Sequence, residues 1–232
     1  MPASVALSVP LFNEAAVVDD VVRTYAAALT ATGLDWSLVL VNNGSHDDTG
    51  ARVDQWAEQP GVEALHLNEN AGYGGGILAG IRHATRMGAP DFIGWGWGDG
   101  QVRPDVIPSL VDALLRGADI AKVRRVSRRD GWQRRLVTRN YARLNRALGT
   151  RSPDVNGCPK LMHRRVFEAA QLRSEDWFLD PELLLRAEAR GWQVVELPAA
   201  MEPRAGGRSK VNWRTALSLG VQVCGWHLRN RS

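Results

Sequence analysis

The chain has 232 residues, with 29 lysines and arginines against 25 aspartates and glutamates, a formal net charge of +4 and an apolar content of 44%. That length suits one sizeable domain with a real core, and the composition excludes a disordered, collagen-like or disulfide-built chain. The two cysteines, Cys158 and Cys224, have no second thiol at metal-ligand spacing, so both read as buried free thiols.

Met1-Pro2-Ala3-Ser4 carries no basic stretch, and the apolar run after it breaks at Pro10-Leu11-Phe12-Asn13-Glu14. Neither a signal peptide nor a membrane span is expected there, and the expected compartment is cytoplasmic. In chain order, Ser4 to Val9 reads as a buried strand, and Val18, Val22, Ala26 and Leu29 recur at helical spacing. Ser37 to Val41 is a second strand, stopped by Asn42-Asn43-Gly44-Ser45. Asp47 to Glu58 reads as helix, Val62 to Leu67 as strand, Gly76 to Arg86 as helix, and Asp91 to Trp95 as strand. Pro104 to Leu115 is helical with proline in its first turn; Asp180 is placed as the N-cap of a later helix, and Gln193 to Leu197 is extended. The alternation predicts an α/β fold with a doubly wound, mostly parallel sheet, as one domain over 1–210 and a C-terminal helix over 211–232.

In such sheets ligands lie at the carboxyl ends of the strands. Four polar clusters follow strands: Pro10 to Glu14, Asn42 to Ser45, Asn68 to Gly76 and Asp99 to Gln101. They are expected to converge on one rim. Ten arginines and one lysine against the single acid Asp130 lie between Lys122 and Arg151, so the positive charge is local. From Arg134, Val137, Tyr141, Leu144 and Leu148 form an apolar seam, with Arg135, Arg139 and Arg143 on another face. No nucleic-acid module accompanies this charge, and nucleic acid is not an expected partner.

These segments together resemble family-2 glycosyltransferases of the GT-A fold, most of all the polyprenyl-phosphate sugar transferases of the dolichyl-phosphate mannose and glucose synthase type. Val9 to Glu14 matches the family's first loop, and the resemblance implies that Pro10, Asn13 and Glu14 line a nucleotide pocket. Val41 to Thr49 matches a segment usually written Asp-Asp-Gly-Ser-x-Asp-x-Thr, placing Asn42, Asn43, Gly44 and Ser45 in that pocket, with asparagines where acids are usual. A carboxylate only accepts hydrogen bonds, whereas an amide donates or accepts, so the preference for uracil or guanine is loosened. Asn68 to Gly76 resembles the Asn-x-Gly-x-Gly turn; Asn70 and Gly72 would help a helix N-terminus hold nucleotide or phosphate.

Trp97-Gly98-Asp99-Gly100-Gln101 occupies the slot of the Asp-x-Asp metal signature. Asp99 matches the second acid, Gln101 stands nearby and Gly98 between, but Trp97 replaces the first acid and has no oxygen for a metal. The resemblance implies Mg²⁺ or Mn²⁺ on Asp99 and Gln101. Neutralisation of the diphosphate by arginines stays open beside it. Arg124 and Arg139 are the candidates for phosphate contact, and Asp154 for the sugar hydroxyls. Asp180 is the implied acid near the acceptor, and Arg204, Ser209 and Lys210 of Arg204-Ala205-Gly206-Gly207-Arg208-Ser209-Lys210 match the loop that folds over the diphosphate. Asp99, Asp180, Arg204 and Lys210 are thus the implied catalytic set.

The implied reaction is inverting transfer from a UDP- or GDP-linked sugar. A phosphate monoester is largely dianionic near neutral pH and needs little help from a base, whereas an alcohol needs one. Abundant phosphate-binding charge and only two candidate bases, Asp180 and Glu182, favour a polyprenyl phosphate. A small soluble hydroxyl acceptor is the alternative, and a degenerate protein that only binds nucleotide is a third, motivated by Trp97, Asn42 and Asn43. Trp213 to Leu228 is too short and interrupted to span a bilayer but suits its surface, which would place the protein at the inner face of the membrane.

Overall fold

The computed structural model of the chain describes residues 3–127 and 149–201. The basic helix expected from Arg134, together with Arg139, Arg204, Ser209, Lys210, Cys224 and the C-terminal segment 211–232, lies outside the described residues. In order, the elements are β1 (Ser4–Leu11), α1 (Val18–Thr30), β2 (Asp35–Asn43), α2 (Thr49–Ala57), β3 (Val62–Leu67), α3 (Gly72–Gly88) and β4 (Phe92–Trp95). A 3-10 turn (Pro104–Val106) leads into α4 (Ile107–Leu115), followed by β5 (Ile120–Ser127), β6 (Lys160–His163), α5 (Arg164–Ala170), α6 (Leu179–Arg190) and β7 (Val194–Ala200).

The strands form one seven-stranded sheet in the order β3-β2-β1-β4-β6-β5-β7. β1 pairs parallel with both β2 and β4, β2 with β3, and β5 with β7. β6 runs antiparallel to β4 and to β5. The sheet is therefore mostly parallel, with one reversed strand in its middle.

Alternation along β1 and β2 divides the apolar side chains between two layers. Leu7, Val9, Leu38 and Leu40 pack with Val18, Val22, Tyr25 and Leu29 of α1 and with Leu110 and Leu114 of α4. Ala6, Val39 and Val41 pack on the other face with Ile77, Leu78 and Ile81 of α3 and with Leu179 and Leu183 of α6. Full burial of each such Leu, Ile or Val contributes roughly 1.5–3 kcal/mol. α3 lies so close to β1 that a side chain on Gly80 would collide with Ser8 Oγ.

Three local expectations change. α3 begins at Gly72 instead of Gly76, because its first turn is tied down by contacts described below. β5, hidden in sequence by its cations, is an interior strand between β6 and β7 whose Lys122 is fully buried. Asp180 is not an N-cap: it stands in the first turn of α6, with Phe178 at the cap, and its carboxylate turns inward.

Candidate active site

Register brings the polar loops together. Leu11 pairs with Asn42, so the chain leaving β1 runs beside the chain leaving β2. Asn13, at φ 54°, adopts a left-handed conformation that asparagine tolerates. Its amide donates to Ser45 Oγ (3.0 Å), while its Oδ1 accepts from the His46 amide (2.8 Å). The Glu14 amide donates to Thr49 Oγ1 (2.9 Å), and Asn42 Oδ1 accepts from the Ser45 amide (3.1 Å) to close the turn around Gly44. Pro10 stands just inside, its ring next to the position where a side chain on Gly76 would fall.

Asn43 faces the opposite way, against α3. Its Nδ2 donates to Gly72 O (2.9 Å) and its Oδ1 accepts from the Ala71 amide (3.0 Å). Asn70 Oδ1 accepts from the Gly72 amide (2.9 Å), and the Gly75 amide donates to Glu175 O (2.9 Å). The amides of Gly72 and Gly75 at this helix N-terminus are thus engaged within the protein.

β4 ends level with Ser8, so residues 96–99 run past the end of β1. The Gly96 amide donates to Ser8 O (3.0 Å), and a side chain on Gly98 would meet Pro10 O and Leu11. The half-exposed Asp99 accepts the Gln101 amide on Oδ1 (3.1 Å). The described residues hold no group of three or more His, Cys, Asp or Glu side chains able to bind a metal. Asp99, with the Gln101 amide beside it, fits a divalent cation only as a minority ligand, the remaining oxygens coming from a bound diphosphate and water.

Trp97 is anchored on three sides. Tyr25 OH donates to Trp97 O (3.2 Å), Trp97 Nε1 donates to Tyr73 OH (3.1 Å), and the Arg125 guanidinium lies 5.0 Å over the ring centre. Tyr73 stacks on Trp177 at 4.2 Å and donates to Asp180 Oδ2 (3.1 Å). Burial, and then the charge of Asp180, pushes the Tyr73 phenol well above its ordinary range, so it stays a neutral donor.

Asp180 is fully buried and meets three further donors: Lys160 Nζ (2.8 Å) and Trp95 Nε1 (3.3 Å) on Oδ1, and Asn156 Nδ2 (3.4 Å) on Oδ2. Glu182 is likewise occupied, by the amides of Arg173 and Ser174 (3.0 and 2.9 Å) and by both arms of Arg186 (3.1 and 2.7 Å). Burial alone would raise the Glu182 carboxyl, but the Arg186 and Ser174 hydrogen bonds outweigh it and lower it.

Arg125, not the exposed Arg124, turns inward and forks onto both oxygens of Asp154. Burial pushes the Asp154 carboxyl up, yet Arg125 overcomes it and holds the group at about 2. Lys122 Nζ donates to Asp154 O (2.6 Å) and Glu196 Oε1 (3.1 Å). Burial, then the neighbouring Lys160 charge, lowers the Lys122 ammonium. Cys158 is a buried free thiol, pushed by its burial up to about 12.

Pro10, Asn13, Glu14, Asn42, Asn43, Gly44, Ser45, Asn70, Gly72, Gly98, Asp99 and Gln101 thus cluster at the ends of β1 to β4. Asp154 and Asp180 sit deeper, under β5, β6 and α6. Sequence reasoning missed Tyr73, Trp95, Arg125 and Lys160. The readable signal was Lys160 inside the apolar run Cys158 to Met162, since a buried ammonium demands an acid.

The model for glycosyl transferase family 2 matches residues 7–170. The chain belongs to this family. It is 29% identical over 217 residues to an undecaprenyl-phosphate 4-deoxy-4-formamido-L-arabinose transferase of Enterobacter sp. (strain 638), covering 93% of this chain and 64% of the relative. The same holds for the like-named protein of Sodalis glossinidius (29% over 218 residues, 93% and 65%). The chain therefore spans just under two thirds of the length of these relatives. Among solved structures, it resembles the glucosyl-3-phosphoglycerate synthase of Mycobacterium tuberculosis in complex with Mn²⁺, UDP and phosphoglyceric acid (TM-score 0.69, 19% identity, 98% of this chain and 78% of the other). It also resembles a mannosyltransferase of Pyrobaculum calidifontis in complex with GDP-Man and Mn²⁺ (TM-score 0.68, 15% identity, 99% and 65%). These likenesses establish the GT-A fold. Among the described residues no helix is long and apolar enough to cross a membrane.

Proposed function

We propose that this family-2 chain is an inverting glycosyltransferase that moves a sugar from a UDP- or GDP-linked donor to a polyprenyl phosphate. The observation that carries this reading is that Asp180 and Glu182, the two candidate bases, are each held by several protein donors. An alcohol would need one of them to take its proton. A phosphate monoester arrives already ionised. The names of the two relatives point to the same acceptor class.

In this mechanism the loops after β1 and β2 seat the nucleotide, and a phosphate oxygen of the acceptor attacks the anomeric carbon in line. The bond from that carbon to the diphosphate oxygen breaks, and the nucleoside diphosphate leaves with the electron pair. A divalent cation held by Asp99 and Gln101 would draw off the charge that builds on the departing diphosphate. Arg204, Ser209 and Lys210, which lie beyond the described residues, would add donors, with Arg139 and Arg124 contacting the acceptor's phosphate. Asp180 would orient the acceptor wall through Tyr73 and Asn156 instead of moving a proton. Residues 211–232 would rest on the membrane surface where the lipid lies.

The test is transfer from a panel of UDP- and GDP-sugars to undecaprenyl phosphate in detergent, read as label extracted into organic solvent. Labelled lipid is expected. Turnover of a water-soluble alcohol but not of the lipid would make the soluble acceptor the function, and failure with every sugar nucleotide would leave a non-catalytic binding protein.

A further inference from the structure

The side chain of Asn42 is the middle of a hydrogen-bonded chain that runs from the surface of α2 to the loop after β1. Its amide orientation follows from the backbone. The Ser45 N–H can only donate, so the atom facing it at 3.1 Å is Oδ1, and Nδ2 is left to face His66 Nδ1 at 3.1 Å. An amide nitrogen only donates, so His66 Nδ1 must be a bare acceptor. The proton of the neutral ring then sits on Nε2, which donates to Asp54 Oδ1 at 2.8 Å. Gly50 leaves room for this contact, since a side chain there would press on Asn42 Nδ2. At the other end, Ser45 Oγ receives the Asn13 amide.

The register of β3 puts His66 beside Asn42 and on the face that carries α2, opposite to Leu65 and Leu67. The charged group that meets the ring there is Asp54 of α2; β2 offers only the neutral Asn42. The Glu63–His83 pair belongs to the opposite, α3 face.

We infer that His66, held by Asp54, is a positioning residue for the nucleotide loops: as a neutral imidazole it fixes Asn42, and through Ser45 it fixes Asn13. The inference rests on the reading of this rim as the nucleotide site. It explains why an asparagine stands at 42. An aspartate would set a carboxylate against the lone pair of Nδ1, whereas asparagine completes the chain. When His66 gains a second proton, Nδ1–H opposes the Asn42 NH₂. The amide must then turn over, which sets its NH₂ against the Ser45 N–H, or the contact opens; either way the loop that holds Asn13 loosens.

The experiment is calorimetric binding of UDP and GDP between pH 5.5 and 8.5 to the wild-type chain, His66→Gln and Asn42→Asp, with nitrogen chemical shifts of the histidine rings recorded in parallel. His66→Gln is expected to show only the pH dependence of the nucleotide's own terminal phosphate. Relative to that profile the wild type is expected to lose about a further fivefold in affinity as the pH falls, the size of one net hydrogen bond. Asn42→Asp should reverse the sign of that difference, because its carboxylate accepts from both the Ser45 amide and a protonated His66. Identical profiles for wild type and His66→Gln, or a His66 ring protonated on Nδ1 when neutral, would overturn the inference and leave the site reading intact. Binding of neither nucleotide by any of the three proteins at pH 8 would instead overturn the site reading itself, and this inference with it.

Discussion

The ammonium of Lys160 on β6 lies 2.8 Å from Asp180 Oδ1 on α6, and both side chains are fully buried. A charge pair closed to bulk water thus joins α6 to the reversed strand. Removing one partner strands the other charge in the core, at a cost of about 3–5 kcal/mol. Lys160→Met should therefore lower the unfolding free energy by that amount in urea titration, and adding Asp180→Asn should recover part of it, because the amide carries no charge and its oxygen can still accept from Tyr73 or Trp95. A single variant within about 1 kcal/mol of wild type would contradict this description of the pair.

Asp154 gives a pH signature. Its folded value of about 2 lies below that of an unfolded aspartate, so its stabilisation is present above about pH 4. It is lost as the pH falls through about 2. The expected size is on the order of 2 kcal/mol, and it should vanish in Asp154→Asn. Comparing denaturation of the two proteins between pH 5 and 2 reads it directly: the two curves should converge toward the acid end.

Asn43 must both donate and accept to hold Ala71 and Gly72. Restoring an acid with Asn43→Asp removes the donor and places a carboxylate against Gly72 O. A loss of about 1–3 kcal/mol is expected, measured by thermal or chemical unfolding. Nucleotide affinity should fall with it, because α3 and the β1 loop share this corner. Asn43→Asp as stable as wild type would show that the clamp adds nothing.

Asp99 offers the test of metal use. UDP or GDP binding measured with Mn²⁺ and with chelator should show an enhancement by metal that Asp99→Ala removes. Equal affinity and full activity in chelator would assign charge neutralisation to the arginines instead.

Strongly patterned elements were legible in the sequence: β3 matches residue for residue, α1 and α2 begin within about two residues of their expected starts, and the stretch expected as one helix from Pro104 is a 3-10 turn leading into α4. The meeting of Asn13, Asn42 and Ser45 followed from their places at the ends of parallel strands. β5 was hidden because Lys122 and Arg125 look like surface charge until Glu196 and Asp154, far away in sequence, are seen to meet them. The role of Asp180 was hidden for the same reason. Propensity says that an acid belongs at a helix start, but only the packing of α6 on β6 says which way it points. Trp97, Asn42 and Asn43 could be read as departures from a motif; that each is locked by partners suited to it required the fold.

The reversed direction of β6 has an architectural consequence. Six strands point their carboxyl ends at this rim. β6 alone points its amino end at the site, and the chain through Asp154, Asn156 and Cys158 crosses the rim before it becomes strand. Ser127 and Lys160 therefore mark an exit and a return on one side of the sheet. The segment that enters β6 can therefore carry Asp154 to Arg125, Asn156 to Asp180 and Cys158 to Tyr73 without interrupting any parallel strand.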